Sequence, residues 1–272
     1  MTRRRFAITF ATGIAWVMLA QGFASHVPAE PAGLSHRTTL HPGRLIVASA
    51  YPDPPFDLIE NGSPGGFDIE LMRAICRHLG LALEAVRYSG DDFNGIFDGL
   101  GKRSYDAVIS GTTITPERAA KVLFSEPYLE FNQGVAVNRQ RSPNAASVDD
   151  LHGLTAGIQS GNTSDFVARR LLAEGKISGI KYYPYNGIGT ALDDLEAERI
   201  GLVIKLHPVI SWLVKDRPRL AVAFDVPTHE KLGIAFAMDN PGLRDAVSGA
   251  LKALRDNGEF GRLRMRWFGS TL

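Results

Sequence analysis

The stretch "DIELMRAICRHLGLALEAVRY" (Asp68–Tyr88) decides the fold class, because a helix pattern runs directly into a strand pattern. Apolar residues recur at helical spacing at Ile69, Met72, Ile75, Cys76 and Leu79. Gly80 then predicts the end of the helix, and "ALEAVRY" predicts a strand. A helix joined to a strand in this way is typical of α/β proteins with mostly parallel sheets.

The same alternation continues on both sides of this stretch. Strands are predicted before it at Arg44–Ala50 and after it at Tyr105–Ser110, with a hairpin around 61–65 and a short helix over 91–103. After a polar segment at 138–147, the pattern of strands and helices begins again and continues to a last helix ending near Trp267. Two α/β units in tandem therefore fit the 272 residues.

Composition excludes several classes of function. The chain carries 30 basic and 29 acidic residues, so its net charge of +1 offers no basic surface for nucleic acid. The 7 histidines show no metal-ligand spacing, and the single cysteine, Cys76, is best explained as a core thiol. No nucleophile–base pair is visible, so neither a metal, a cofactor nor a catalytic residue is expected.

The N-terminus has the pattern of an export signal. Three arginines precede an apolar run over 6–20, and small residues at Gly22 and Ala24 fit a cleavage site. We therefore predict a signal peptide over 1–24, a flexible leader over 25–43 and a periplasmic mature chain. The arginines also fit the twin-arginine route, although general secretion uses similar signals.

The first candidate binding stretch is "VISGTTITPERAAKV" (Val108–Val122). A strand leads into small and hydroxyl residues, and a helix then begins with Thr115 as its cap and Pro116 in its first turn. Arg118 is unfavourable at a helix N-terminus unless an anion is near. It either pairs on the surface with Glu117 or Glu126, or forms a bidentate clamp on a carboxylate.

Two further strand ends are candidate sites, because ligands of open α/β sheets bind beyond the carboxyl ends of strands. In "GIQSGNTSDF" (Gly157–Phe166) a helix capped by Asn162 or Thr163 presents free backbone N–H groups, although an ordinary capped helix has the same pattern. In "VIKLHPV" (Val203–Val209) Lys205 and His207 follow a strand.

These stretches carry a resemblance to a known family. "GFDIELMRAICRHL" (Gly66–Leu79) resembles the signature helix of the extracellular solute-binding proteins of polar amino acid ABC transporters. "YDAVISGTTITPERAAKVLFSEPY" and "GIQSGNTSDF" are similar to that family's two ligand loops. The similarity extends from about Arg44 to the C-terminus.

The resemblance implies a type II periplasmic-binding-protein fold with two lobes, each a mostly parallel sheet flanked by helices, and a ligand cleft between them. Lobe one is expected over 44–133 and 230–272, and lobe two over 134–229, with hinge strands near Val135 and Val226–Leu232. The implied partners are a small carboxylate-bearing solute and an ABC permease, and the protein is expected to be a monomer.

The resemblance also implies roles for individual residues. Arg118 would hold the ligand carboxylate, assisted by Ser110, Gly111 and Thr113. Phe93 would pack on the apolar part of the ligand. Lobe two would supply donors from Asn162 and Thr163, and Gln159 would line the side-chain pocket.

Two positions depart from the family pattern. The family usually has an aspartate for the α-ammonium where this chain has Leu206, between Lys205 and His207, and an aromatic residue where it has Asp53. Either Asp53 takes over a cationic group, or the ligand lacks an α-ammonium and Lys205 binds a second anion.

Three functions are therefore weighed. The first is a receptor that delivers an amino acid or derivative to an ABC importer. The second is an enzyme, because cyclohexadienyl and arogenate dehydratases resemble the family in fold, but no side chain here has a clear general-acid context. The third is a ligand-sensing subunit acting with a signalling partner.

Overall fold

The computed structural model describes residues 39–269, so the predicted signal peptide and most of the leader lie outside the described residues. The strands are β1 (Arg44–Ser49), β2 (Leu58–Glu60), β3 (Ser63–Gly65), β4 (Ala82–Arg87), β5 (Ala107–Val108), β6 (Leu123–Phe124), β7 (Leu129–Asn138), β8 (Thr155–Gln159), β9 (Gly179–Tyr183), β10 (Leu202–Leu206), β11 (Leu220–Leu232) and β12 (Ala235–Phe236). The helices are α1 (Phe67–Leu79), α2 (Asp98–Gly101), α3 (Pro116–Ala119), α4 (Ser164–Ala173), α5 (Ile188–Glu196), α6 (His207–Val214), α7 (Pro241–Asp256) and α8 (Glu259–Phe268), with short 3₁₀ helices at Phe93–Phe97, Val148–Leu151 and Tyr185–Gly187.

The strands form two five-stranded sheets and a small hairpin. The first sheet has the order β4-β1-β5-β12-β6, the second has the order β11-β7-β10-β8-β9, and β2 pairs with β3. Flanking helices bury an apolar face against each sheet, and the resulting cores contribute most of the stabilisation through buried apolar area. The predicted α/β fold with two sheets is confirmed.

Both sheets are mixed, although the sequence predicts mostly parallel ones. In the first sheet β1 pairs in parallel with β4 and β5, but β12 is antiparallel to β5 and β6. In the second sheet β8 is parallel to β9 and β10, but β7 is antiparallel to β10 and β11. The antiparallel strands are those through which the chain passes between the two sheets and returns.

Helix α1 begins and ends where its sequence predicts. Its apolar face is buried, with Cys76 2 % exposed, and burial raises the pKa of that thiol to about 12. Gly80 has a left-handed φ of 69° and caps the helix, while Gly66 precedes it at φ 101°. A Cβ on Gly66 would lie 2.3 Å from the carbonyl oxygen of Phe56, so this position requires glycine.

Two long strands join the sheets. Strands β7 and β11 pair along most of their length, with an irregularity between Val226 and Glu230 where His229 has a φ of 50°. Beyond this irregularity an isolated bridge between Thr113 and Leu232 connects β11 with the loop that follows β5. Residues around Glu230 therefore lie between the two sheets.

Candidate functional site

The loops after β1, β5, β8 and β10 converge on a small cavity of about 20 Å³ between the two sheets. Ten of the eleven candidate ligand-binding residues line it, namely Asp53, Phe93, Ser110, Gly111, Thr113, Arg118, Asn162, Thr163, Lys205 and Leu206. The eleventh, Gln159, hydrogen-bonds to Lys205 Nζ through its Oε1 at 2.7 Å. The three stretches that the sequence singles out thus meet at one place.

The first turn of helix α1 holds the loop that follows β5. Asp68, in the first turn of α1 and fully buried, accepts hydrogen bonds from the backbone N of Gly111 at 2.7 Å and from the Tyr128 hydroxyl at 3.1 Å. Gly111 itself has a φ of 52°, and a Cβ there would lie 3.0 Å from the Phe56 ring. The Asp68 side chain of α1 therefore helps to hold the loop in its conformation.

Arg118 is buried, 6 % exposed, and not paired on the surface. Its guanidinium donates to the carbonyl oxygens of Thr113 at 2.9 Å and Gly161 at 3.0 Å, and through Nε to the Asn94 side chain at 3.1 Å. The ring of Phe93 lies 5.0 Å below it. Burial lowers the pKa of Arg118 to about 10, against the stabilising charge of Glu230, and the group stays cationic at neutral pH.

The loop after β8 is in close contact with the start of the 3₁₀ helix Phe93–Phe97. The backbone N of Phe93 donates to the Ser160 carbonyl at 3.2 Å. Gly161 has a φ of 79°, and a Cβ there would lie 2.6 Å from Phe93 N and 2.4 Å from Asp92 Oδ1. Only a glycine permits this approach between the two sides.

The predicted helix cap in this loop is wrong in its chemistry. Thr163 occupies the N-cap position of α4, but its side chain makes no capping hydrogen bond. The hydroxyl donates instead to Glu230 Oε2 at 2.7 Å, and the Asn162 amide donates to Gln159 Oε1 at 3.1 Å. Both side chains are therefore directed towards the cleft rather than to the helix terminus.

One departure from the family pattern, Asp53, contacts the residue that precedes the other departure, Leu206. Asp53 Oδ1 and Lys205 Nζ form an ion pair of 2.8 Å, although Asp53 follows a strand of the first sheet and Lys205 lies at the end of β10, just before Leu206, in the second. Burial raises the pKa of Asp53, and the charge of Lys205 opposes that rise. Leu206 is 8 % exposed and packs into the largest hydrophobic core, so no carboxylate stands at its position.

Sequence reasoning missed Glu230, the most informative acidic residue of the cleft. Its carboxylate accepts from the Thr113 hydroxyl at 2.6 Å, from Thr163, and from the Gln133 amide at 2.7 Å. Among the described residues no basic side chain lies within ion-pair distance of it. The sequence carries no clear signal for it, because the irregularity between Val226 and Glu230 interrupts the alternating pattern of β11.

A second buried carboxylate lies behind Ser110. Asp57 accepts hydrogen bonds from the hydroxyls of Ser49 at 2.6 Å and Ser110 at 2.5 Å, and from the backbone N of Asp53 at 2.8 Å. Burial and then the negative charge of Asp53 raise the pKa of Asp57 to about 7. Tyr185, also missed, covers the cavity from the other side, 5.1 Å from Phe93.

Larger grooves adjoin the inner cavity. One of about 720 Å³ shares Thr113 and Thr163 with it and reaches the half-exposed Phe166. Within residues 39–269 no cluster of three or more His, Cys, Asp or Glu side chains has a metal-binding arrangement. In the same part of the chain, no helix combines the length and the apolar character needed to cross a bilayer.

A cleft between two α/β sheets, lined by an arginine and by short loops at strand ends, defines the class of two-lobed solute receptors. Residues 45–270 match the bacterial extracellular solute-binding proteins, family 3, and the chain belongs to this family. Two residues at its site, Asp53 and Leu206, differ from the pattern that the family resemblance implies.

Individual relatives are similar along most of the chain. The putative ABC transporter arginine-binding protein 2 of Escherichia coli is 31 % identical over 231 residues, which cover 83 % of this chain and 90 % of the relative. An ancestral arginine-binding protein bound to arginine is 31 % identical with a TM-score of 0.75, covering 84 % and 99 % of the two chains.

A third comparison bears on the enzyme alternative. The ancestral amino acid-binding protein AncCDT-1, described as a precursor of cyclohexadienyl dehydratase, is 31 % identical with a TM-score of 0.73, covering 83 % of this chain and 95 % of that chain. All three relatives are named as binding proteins, which agrees with the prediction that this chain is not an enzyme.

Proposed function

We propose that this chain is the substrate-binding component of an ABC importer, and that it binds an amino acid or amino-acid derivative through the ligand's carboxylate and delivers it to a membrane permease. The observation that carries the proposal is the buried guanidinium of Arg118, which lies between the first-sheet loop and Gly161 on the second-sheet side. Relatives named as arginine-binding proteins of ABC transporters support the class of ligand.

The carboxylate end of the ligand belongs at Arg118. A guanidinium binds a carboxylate through two parallel hydrogen bonds, and its present partners are only neutral carbonyl oxygens. Ser110, Gly111, Thr113, Asn162 and Thr163 line the same cavity, and the Asn162 amide keeps a second N–H besides the one that it donates to Gln159. The cavity of about 20 Å³ is smaller than an amino acid, so the two sides must separate before a ligand enters.

The α-ammonium is proposed to lie near Glu230. Leu206 cannot accept a hydrogen bond through its side chain, and Asp53 is already paired with Lys205 at 2.8 Å. Glu230 is 9 % exposed and holds a buried negative charge without a basic partner among the described residues. A ligand cation would compensate that charge.

We propose that lobe one spans 44–133 and 230–272 and that lobe two spans 134–229. The division of the strands between the two sheets supports these boundaries. The extracellular family supports a periplasmic protein. Its N-terminal 24 residues are proposed to be removed as a signal peptide after export by the general secretion or the twin-arginine route. We propose a monomeric receptor with a permease as its membrane partner.

A thermal-shift screen of the purified protein against amino acids, opines, dicarboxylates and betaines tests this function. At about a thousandfold excess over Kd, binding adds about 4 kcal/mol to the free energy of unfolding and raises Tm by several degrees. The shift should vanish in Arg118→Ala but persist in Arg141→Ala, which removes an exposed arginine paired with Glu198. Chromatography should recover the ligand unchanged, whereas consumption of the ligand or an Arg118→Ala protein with the full shift would contradict the proposal.

A further inference from the structure

The ion pair between Asp53 and Lys205 lines the same inner cavity as Arg118. The two side chains are 7 % and 3 % exposed, respectively, and both line the inner cavity. Lys205 Nζ also donates to Gln159 at 2.7 Å and lies 5.6 Å above the Tyr185 ring. The wall of the cavity at this point thus presents one full positive charge, one full negative charge and an amide.

A ligand group with a single charge is poorly matched to such a wall. A guanidinium or ammonium that approaches Asp53 meets Lys205, whose Nζ is only 2.8 Å from the same carboxylate. A carboxylate that approaches Lys205 meets Asp53 in the same way. Because water is excluded, the excess charge that either ligand brings has no counter-charge here.

A neutral group with both a donor and an acceptor has no such excess charge. A carboxamide can donate an N–H to Asp53 and accept from Lys205, whose ammonium has three donors. The neighbouring Asp57 carboxylate is bonded by the hydroxyls of Ser49 and Ser110 and not by Lys205, so Asp53 and Lys205 are the two charged groups that contact each other at this wall. Within residues 39–269 Asp53 has no second basic partner within ion-pair distance.

We propose that the Asp53–Lys205 ion pair is the specificity determinant for the ligand's side chain, and that it selects an uncharged side chain bearing both a donor and an acceptor over a cationic or an anionic one. The inference rests on the proposed function, because it concerns the side chain of the same amino-acid ligand. It separates this chain from its arginine-binding relatives in the ligand class that it selects.

Isothermal titration calorimetry with L-glutamine, L-arginine and L-glutamate tests the proposal in four proteins. The wild type should bind L-glutamine at least about tenfold more tightly than either charged amino acid. Lys205→Met leaves Asp53 without its partner and should shift the affinity ratio towards L-arginine at least about tenfold, while Asp53→Asn should shift it as far towards L-glutamate. The double variant is again neutral and should restore the wild-type order.

One control variant and one fallback comparison keep the outcome decisive. Lys181→Met removes a half-exposed lysine that pairs with Asp194 at 2.6 Å outside the cavity, and it should leave the order of the three ligands unchanged. If a single variant fails to fold, the wild type and the double variant still test the order.

The possible failures are distinguishable. Tightest binding of L-arginine or L-glutamate by the wild type, or one unchanged order in all four proteins, overturns the inference while the proposed function stands. Lack of binding of all three amino acids by the wild type contradicts the amino-acid ligand itself, and the inference fails with it.

Discussion

The backbone N of Phe93 lies so close to Gly161 that a Cβ on Gly161 would be 2.6 Å from it. This contact joins the loop after β8 to the 3₁₀ helix Phe93–Phe97, and the carbonyl of Gly161 also accepts a hydrogen bond from Arg118 at 3.0 Å. The closed arrangement of the cleft therefore depends on a position without a side chain.

Replacing Gly161 by alanine should prevent full closure, because the added methyl group meets backbone atoms that cannot move aside. We expect ligand affinity to fall at least about tenfold by calorimetry. Gly175→Ala is the matched control: its φ of 69° imposes similar backbone strain, but nothing lies within 4 Å of the added Cβ. Equal affinities of the two variants would show that the Gly161 contact is irrelevant to binding.

A second glycine substitution should affect stability. Gly66→Ala combines a φ of 101° with a Cβ that would lie 2.3 Å from the Phe56 carbonyl, and we expect the free energy of unfolding to fall by about 3 kcal/mol. Gly62→Ala, in the adjacent hairpin, has a φ of 77° and an open environment, so its loss should be about 1 kcal/mol. Urea denaturation measures both, and comparable losses would disprove the steric explanation.

Glu230→Gln should weaken ligands that carry an α-ammonium. The amide keeps the shape of the side chain but removes the buried negative charge, so we expect the affinity for L-glutamine to fall at least about tenfold. Glutaramate, which lacks the α-ammonium, should lose much less. Glu130→Gln, on the neighbouring strand and paired with His229 at 3.1 Å, provides the control. Equal losses for both ligands would place the ammonium elsewhere.

Asp57 should make stability depend on pH. Its pKa is raised from 3.8 to about 7, so the folded protein retains a proton that the unfolded chain releases between these values. Since the folded state binds more protons, the contribution of Asp57 lowers the free energy of unfolding as pH rises from about 4 to about 7 and is constant above that window.

Asp57→Asn should therefore reduce that decline, as measured by urea denaturation at several pH values. The exposed Asp239, which pairs with Arg103 at 2.9 Å, serves as the control, and Asp239→Asn should keep the wild-type slope. The same slope in Asp57→Asn and in the wild type would refute the assignment.

The sequence predicts best what local interactions determine. The bounds of α1 follow from apolar spacing and two glycines, and the Thr115 cap of α3 follows from its own side chain, which accepts from Arg118 N at 3.2 Å. The predicted strand over Tyr105–Ser110 is reduced to Ala107–Val108. Hydrogen bonding to β1 nevertheless extends one residue to each side, because the backbone N atoms of Asp106 and Ile109 donate to the carbonyls of Ile46 at 2.8 Å and Ala48 at 3.1 Å.

Contacts between distant parts of the chain could not be predicted in the same way. The family resemblance marks Asp53 and Leu206 as unusual for their positions, but only the fold brings Asp53 within 2.8 Å of Lys205, the residue before Leu206. Glu230 was overlooked because the irregularity in β11 interrupts the alternation that would mark it as inward-facing. Thr163 was misjudged because an acceptor outside its helix competes for its hydroxyl.

The buried thiol of Cys76 has a practical consequence for measuring the motion of the two sheets. It is the chain's only cysteine, it is 2 % exposed, and its pKa of about 12 leaves almost no thiolate at neutral pH. Maleimide reagents should therefore leave the Cys76 thiol unmodified. Cysteines introduced on either side of the cleft can carry a fluorophore pair in the otherwise native protein, so that opening and closing can be followed as a distance in single molecules.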